Sequence, residues 1–489
     1  MLDDLTAALR RDRDRPALLA AGPGGRPRVL ATRGDIVDLA DGYAAALHHR
    51  GLTTGDTLGL AVRPGPRALA LLLAADRLGV RVALLDPTAG PDVLTARLAF
   101  ARPALVVADA AAQAVAGWAR PLARRARLAL PDLSTLGPVA TIGRRLPGCA
   151  PPLEPRDGPA PHRGDDDGDA VIIFTSGTTQ RPRAVVYRRG GLAAGMRAVI
   201  DLVRPRPEEA VLGGMFFVLV PALTSGAPVA LPARSPRRLA RQIARLRPQA
   251  TYLTPPQLRE LLAERPRLTG RVYSGSAPVS ATLLTRLKRA GASEAWGVYA
   301  LTELFPAAAV EEAEKSAFTG DGDLVGAPLP GVRVRVDDAG QVLLTGPNRS
   351  HRYLGEPPHD WVATGDVGRV DNGRLILAGR CKDMILRGAY NIYPGLYEPA
   401  LHVPGVNLAV LVGVPADDGD ERLVALVEPE PDVRPDRVRR ALEPVLARMG
   451  SARPDHVLVR PVPVAGRSRK PDRAAAAALA KSLLEGRRD

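Results

Sequence analysis

The run Ile173-Phe174-Thr175-Ser176-Gly177-Thr178-Thr179-Gln180-Arg181-Pro182-Arg183-Ala184-Val185 joins a short apolar segment to small hydroxylated residues around one glycine. Backbone N–H groups and hydroxyls in such a loop are the donors that wrapping phosphate oxygens requires. An ordinary strand-to-turn junction has the same composition, so the segments that follow decide its meaning. Tyr273-Ser274-Gly275-Ser276-Ala277-Pro278 is a small-residue bend that lets a flat ring approach the backbone. Tyr299-Ala300-Leu301-Thr302-Glu303 offers an aromatic face, a hydroxyl and a carboxylate within five positions, suited to stacking a base and holding a metal. Trp361-Val362-Ala363-Thr364-Gly365-Asp366, then Gly379-Arg380-Cys381-Lys382-Asp383, supplies a carboxylate for a diol and a charged junction. Near the end, Lys470 sits in a basic turn before Pro471-Asp472-Arg473. Each has a plainer reading: Asp366 and Arg380 as a surface ion pair, Lys470 as a solvated charge, and Phe217, in Met215-Phe216-Phe217-Val218-Leu219-Val220-Pro221, as core packing.

The elements that must position these residues alternate between helical and strand patterns, the mark of a layered α/β protein. Ile36, Leu39, Tyr43 and Leu47 recur at helical spacing up to Gly51, a natural C-terminal cap. Thr57 to Val62 reads as a strand, Ala68 to Leu78 as a helix, and Val80 to Leu85 as a strand ending at Asp86-Pro87. Leu408 to Val414 and Leu423 to Val427 read as paired strands, and Asp436 to Met449 as an amphipathic helix strained at Pro444. Gly22, Gly24 and Gly25 do not form a dinucleotide fingerprint, because Pro27 stands where its last glycine belongs. The proline-rich stretch from Leu146 leads to the acidic run Asp165-Asp166-Asp167-Gly168-Asp169, which lacks the spacing of an EF-hand loop and reads as a solvated connection.

Composition narrows the class. A chain of 489 residues is too long for one core, and 46% apolar with 24% charged residues is ordinary for a folded enzyme. No uncharged apolar run reaches the ~18 residues of a membrane span, and the amino terminus lacks a signal peptide's apolar region, so the expected location is cytoplasmic. Cys149 and Cys381 match no metal or redox spacing. The net charge of +15 invites a nucleic-acid reading, but the arginines are dispersed and aromatics are only 4%, leaving little for base stacking. A small anionic ligand is the more modest implication.

Taken together and in this order, the segments resemble the adenylate-forming superfamily of acyl-CoA synthetases, nonribosomal-peptide adenylation domains and firefly luciferase, over nearly the whole chain. Leu84-Leu85-Asp86-Pro87-Thr88-Ala89-Gly90, Val185-Val186-Tyr187-Arg188 and Leu301-Thr302-Glu303-Leu304-Phe305-Pro306 are most similar to the branch of fatty-acid-CoA-ligase-like proteins and olefin-pathway β-lactone synthetases. The resemblance implies an α/β fold: a large N-terminal domain of doubly wound subdomains plus a distorted barrel over 1–379, a hinge at 380–383, and a small mobile C-terminal domain over 384–489. It also implies two half-reactions, in which a carboxylate attacks the α-phosphate of ATP to release pyrophosphate and an acceptor then displaces AMP.

Residue roles follow from the same resemblance. Thr175, Ser176, Gly177, Thr178, Thr179 and Arg183 would cradle the leaving phosphates, Thr302 would touch the α-phosphate, and Glu303 would hold Mg²⁺. Gly275, Ser276, Ala277 and Tyr299 would form the adenine slot, with Asp366 accepting from both ribose hydroxyls and Arg380 close by. Lys470 would bridge carboxylate and α-phosphate, Lys382 would be the hinge, and Phe217 would wall the acid pocket.

The chain departs from the family's pattern where its Gly-x-Pro-Lys-Gly reads Gln180-Arg181-Pro182-Arg183-Ala184, and where Ala300 replaces the glycine after Tyr299. Losing three glycines is expected to restrict the backbone. The function expected is acid adenylation with CoA, a carrier protein or the substrate's own β-hydroxyl as acceptor. The alternatives are a diazotase-like enzyme activating nitrite for an aryl amine and a non-catalytic adenylate-binding protein.

Overall fold

The computed structural model describes residues 1–85, 91–110, 113, 138–143, 146–164, 167–175, 183–387, 390–416, 421–466 and 469–485. Contacts divide the chain into two units: Met1–Thr251 with Thr302–Phe305 and Gly346–Asp360, and Tyr252–Leu301 with Pro306–Thr345 and Trp361–Asp489.

In the first unit the described strands order as Arg352–Tyr353, Ala184–Arg188, Asp169–Phe174, Arg81–Leu84, Thr57–Ala61, Leu105–Asp109 and Val139–Ile142. From Asp169–Phe174 onward the neighbours are parallel, whereas Ala184–Arg188 pairs antiparallel with both Asp169–Phe174 and Arg352–Tyr353. Thr57–Ala61 is buried at every position, as a strand covered on both faces must be. Helices Pro66–Arg77 and Pro91–Ala101 make the crossovers. Helix Arg33–His49 starts on a capping box between Thr32 and Asp35 and buries Ile36, Tyr43 and Leu47, and Gly51 follows it at φ +85°. Further strands pair Pro16–Ala21 antiparallel with Pro27–Thr32 and parallel with Val229–Ala230, continuing to Val211–Leu212 and then Ala250 and Thr251.

The acidic run is not simply a solvated connection. Asp167 accepts the Gly190 N–H at the start of helix Arg189–Val203, 2.6 Å away. Asp169 opens the central strand and accepts from Arg81 (3.2 Å) and from both terminal nitrogens of Arg352 (2.9 and 2.7 Å). These hydrogen bonds hold its carboxyl below the usual aspartate range although burial opposes them. Asp165 and Asp166 lie outside the described residues.

In the second unit Arg271–Ser274 runs parallel to Glu294–Tyr299, and an antiparallel series continues through Ala308–Glu311, Asp323–Pro328, Arg374–Arg380, Val362–Asp371, Gln341–Thr345 and Arg333–Val336. The hairpin between Val362–Asp371 and Arg374–Arg380 turns on Asn372 (φ +48°) and Gly373 (φ +74°), the residue pair that tight two-residue hairpins favour. Its register places Asp366 opposite Arg380.

Farther along this unit, Val406–Pro415 and Glu421–Pro429 pair antiparallel, with His456–Val459 added in parallel. Strand alternation splits their apolar residues between two faces. Ala409, Leu411, Leu423, Ala425 and Val427 pack with Val438, Leu442 and Leu446 of helix Pro435–Leu446, whereas Leu408, Val410, Val412, Val424 and Leu426 pack with Ala476 and Ala480 of helix Arg473–Glu485. Among the described residues no helix is long and apolar enough to cross a membrane.

Candidate active site

Asp366 is the best-defined chemical group of the second unit. It is only 5% exposed, and its position follows from the hairpin. The Thr364 hydroxyl donates to the Val342 carbonyl (2.7 Å) and accepts the Asp366 N–H (3.0 Å). Gly365 bends the strand at φ +71°, the left-handed region that disfavours a side chain. The carboxylate receives the Tyr299 hydroxyl at 2.5 Å and pairs with the Arg380 guanidinium at 3.0 Å. Burial pushes Asp366 above the ordinary aspartate pKa, with Arg380 as the main opposing influence. Burial, then the Asp366 charge, raises the Tyr299 hydroxyl well above the phenol range, so it stays a donor.

Lys470 belongs to the same surroundings. It lies in the short strand Lys470–Pro471, paired with Val464–Ala465. The residue is exposed at its surface, yet enough protein surrounds the ammonium that burial is the largest influence drawing its pKa below the ordinary lysine value. Arg380 adds to that lowering, Asp366 opposes it, and Lys382 acts in the same sense as Arg380. Arg380, Asp366 and Lys382, far from Lys470 in the sequence, thus all act on it. Lys382 lies within the single turn Cys381–Asp383 that follows Arg374–Arg380.

The small-residue bend belongs to this unit too. A side chain at Gly275 would meet the Val298 carbonyl at 2.7 Å, so the close backbone approach there requires glycine. Ser276 is held at φ +67°, with its hydroxyl 2.9 Å from the Tyr252 hydroxyl. Ala277 is half-buried beside it. A non-glycine residue with positive φ marks stored strain, which collects at binding sites.

In the first unit, Thr175 follows the central strand Asp169–Phe174 at its C-terminal end, where ligands of open α/β sheets bind. Its N–H donates to the Arg183 carbonyl at 3.0 Å, and Arg97 reaches the Thr175 carbonyl at 3.4 Å. Ser176, Gly177, Thr178, Thr179 and Gln180 lie outside the described residues. The lost glycines at 184 and 300 impose no strain. Ala184 opens a strand paired with Phe174, and neither alanine adopts positive φ.

Thr302 and Glu303 are half-buried. Glu303 Oε1 accepts the Tyr353 hydroxyl at 3.0 Å, and the Arg183 guanidinium lies over the Tyr353 ring, 4.4 Å from its centroid. Burial, then the Glu303 charge, keeps Tyr353 protonated far above neutral pH. Phe217, on helix Phe216–Thr224, stands 6.4 Å from Phe305, whose ring meets buried Tyr187 edge-on at 5.6 Å. The sequence reading missed Tyr353, Tyr252 and Thr364. Only Thr364 carried a visible signal, as the residue two before Asp366.

Among the described residues no group of three or more His, Cys, Asp or Glu is placed to hold a metal by protein ligands alone. The half-buried Glu303, with one oxygen already oriented, suits a Mg²⁺ ion that takes one carboxylate and completes its shell with phosphate and water oxygens.

The family described as AMP-binding enzyme matches residues 5–354. The chain is 30% identical over 316 residues to indoleacetate–CoA ligase of Aromatoleum aromaticum, an alignment covering 58% of this chain and 60% of that enzyme. It is 29% identical over 445 residues to olefin β-lactone synthetase of Stenotrophomonas maltophilia, covering 77% of each. The solved amide bond synthetase McbA of Marinactinospora thermotolerans superposes with a TM-score of 0.78 at 25% identity, covering 97% of this chain and 99% of that one.

Proposed function

Because the chain belongs to the AMP-binding enzyme family, we propose that it adenylates a carboxylic acid with ATP and transfers the acyl group to an acceptor. The observation that carries this reading is the Asp366 cluster: a buried carboxylate aligned by strand register with Arg380, capped by Tyr299, and sharing its field with Lys470.

The first step brings a carboxylate against a phosphate ester. One carboxylate oxygen bonds to the α-phosphorus while the bond from that phosphorus to the bridging oxygen breaks, and pyrophosphate leaves with the electron pair. Two anions must meet, and charge builds on the equatorial oxygens, so catalysis is largely positioning and charge stabilisation. Lys470 supplies the cation for both reactants, and Arg380 draws Asp366 toward the ionised form, against burial, for accepting from the ribose hydroxyls. Gly275, Ser276 and Ala277 give the adenine a close backbone surface. In this reading Thr175 and Thr302 would meet phosphate oxygens, and Phe217, beside Phe305, would wall the acid. Glu303 would hold Mg²⁺, which when bound would offset the charge of the phosphates.

The relatives include a CoA ligase and a β-lactone synthetase, and the structural neighbour makes amide bonds. We therefore propose a small-molecule acid as substrate and CoA, a carrier protein, an internal hydroxyl or an amine as acceptor. The test is release of AMP and pyrophosphate across fatty, β-hydroxy and aryl acids, with nitrite plus an aryl amine as a separate arm. Acid-dependent pyrophosphate release supports the proposal. Release with nitrite alone moves the enzyme to the diazotase-like reading, and nucleotide binding without release under any arm makes it a binding protein.

A further inference from the structure

Glu303 is held at two points. Its backbone carbonyl accepts the Ser350 N–H at 2.7 Å, and its Oε1 accepts the Tyr353 hydroxyl at 3.0 Å. The Tyr353 ring is itself flanked by the Arg183 guanidinium at 4.4 Å and by His359, whose ring centroid is 5.6 Å away. His359 is fixed in turn by Nε2 against the hydroxyl of fully buried Ser350, 3.0 Å apart.

A carboxylate that accepts one directed hydrogen bond keeps its remaining lone pairs for a cation and loses freedom to rotate away from it. Arginine suits the stacking role because its guanidinium is planar and lies flat on an aromatic face, which a lysine ammonium does not reproduce. Arg183 is exposed, so nothing about burial forces it onto the ring.

We propose that Tyr353 is a positioning residue for Glu303, and that Arg183 acts on the metal site through the Tyr353 ring. The inference rests on the reading of Glu303 as the Mg²⁺ ligand. It gives the arginine that replaces the family's loop lysine a task of its own, which couples the end of the phosphate loop to the orientation of the metal-bearing carboxylate.

Mn²⁺ binding to the full chain, followed by electron paramagnetic resonance with α,β-methylene-ATP present, tests the two readings separately. The unaltered protein is expected to bind Mn²⁺ in an analogue-dependent way. Tyr353→Phe should weaken that binding about 10-fold, the lower end for loss of a partner that orients a metal ligand, with metal-free AMP binding unchanged. Arg183→Gln should weaken it about two- to fivefold, as loss of a cation over an aromatic ring does at an exposed site, and Arg183→Lys should fall between that variant and the unaltered protein. Unchanged Mn²⁺ affinity in Tyr353→Phe, or an equal loss of AMP binding, overturns the positioning role. If Tyr353→Phe does not fold, Arg183→Gln decides at its exposed position, and unchanged affinity there overturns the coupling. Absence of analogue-dependent Mn²⁺ binding in the unaltered protein overturns the Glu303 assignment and the inference with it.

Discussion

In the proposed role Asp366 accepts from two hydroxyls as an anion, and its surroundings pull it both ways. Burial favours the neutral acid, whereas the Arg380 guanidinium and the Tyr299 hydroxyl favour the anion. Removing Arg380 takes away the larger lowering influence and leaves burial in place, so the pKa of Asp366 rises. Arg380→Met is therefore expected to move the acid limb of AMP affinity to higher pH, measured by titrating AMP between about pH 4 and 7, the range above an unperturbed aspartate. A limb that stays where the unaltered protein has it would separate Arg380 from the ionisation of Asp366. Asp366 and Arg380 were legible because each follows a glycine in a recognisable order. Tyr353 was not, since its partner Glu303 is 50 positions away and no spacing links the two. Asp169 misled for the same reason. A row of acids reads as solvated when the arginines that bury it stand 88 and 183 positions away.

Elements carry the site through backbone geometry. The hairpin that aligns Asp366 with Arg380 depends on Gly365, where an added Cβ would meet nothing within 4 Å but the φ of +71° opposes any side chain. Gly365→Ala therefore isolates the conformational cost, about 1–2 kcal/mol. Denaturant unfolding should show that loss, and AMP affinity should fall with it because the displaced residue adjoins Asp366. Lost stability with intact AMP affinity would mean that the carboxylate does not depend on this bend. At this scale the sequence was readable wherever periodicity was strong. The strands expected at Leu408 to Val414 and Leu423 to Val427 occur as Val406–Pro415 and Glu421–Pro429, and the helix expected from Asp436 occurs as Pro435–Leu446 with Pro444 inside it. The helix expected over Ala68 to Leu78 is Pro66–Arg77, the proline sitting in the first turn, where its missing N–H costs nothing. The antiparallel strand Arg333–Val336 was not read, because four residues of alternating arginine and valine look like a solvated loop until the partner strand Gln341–Thr345 is known.

At the scale of the molecule, the proposal concerns motion at 380–383. The turn Cys381–Asp383 is tied forward by Asp383 to Arg473 at 3.1 Å, and Arg473 also holds Glu398 at 2.7 Å. Within the same unit, Arg286 pairs with Glu430 at 2.8 Å and Arg469 pairs with Glu260, so the segment bearing Lys470 is held by charges that water and salt can reach. Two half-reactions in one site call for Lys470 in the first and a different surface in the second, and hinges are a few residues that absorb large φ/ψ changes. Lys382→Pro fixes φ near −65° and is expected to spare one half-reaction while strongly reducing the other, with AMP binding intact. Normal turnover of that variant would place the hinge elsewhere.

If Lys470 supplies charge for adenylate formation, single-turnover kinetics should separate the two half-reactions. With the acid that the pyrophosphate assay identifies, Lys470→Ala should form adenylate roughly 10²–10³-fold more slowly, the loss expected when one transition-state donor is removed. Consumption of a supplied acyl-adenylate by the same variant should stay close to that of the unaltered protein. Equal losses in both half-reactions, or adenylate formation at the unaltered rate, would contradict the account.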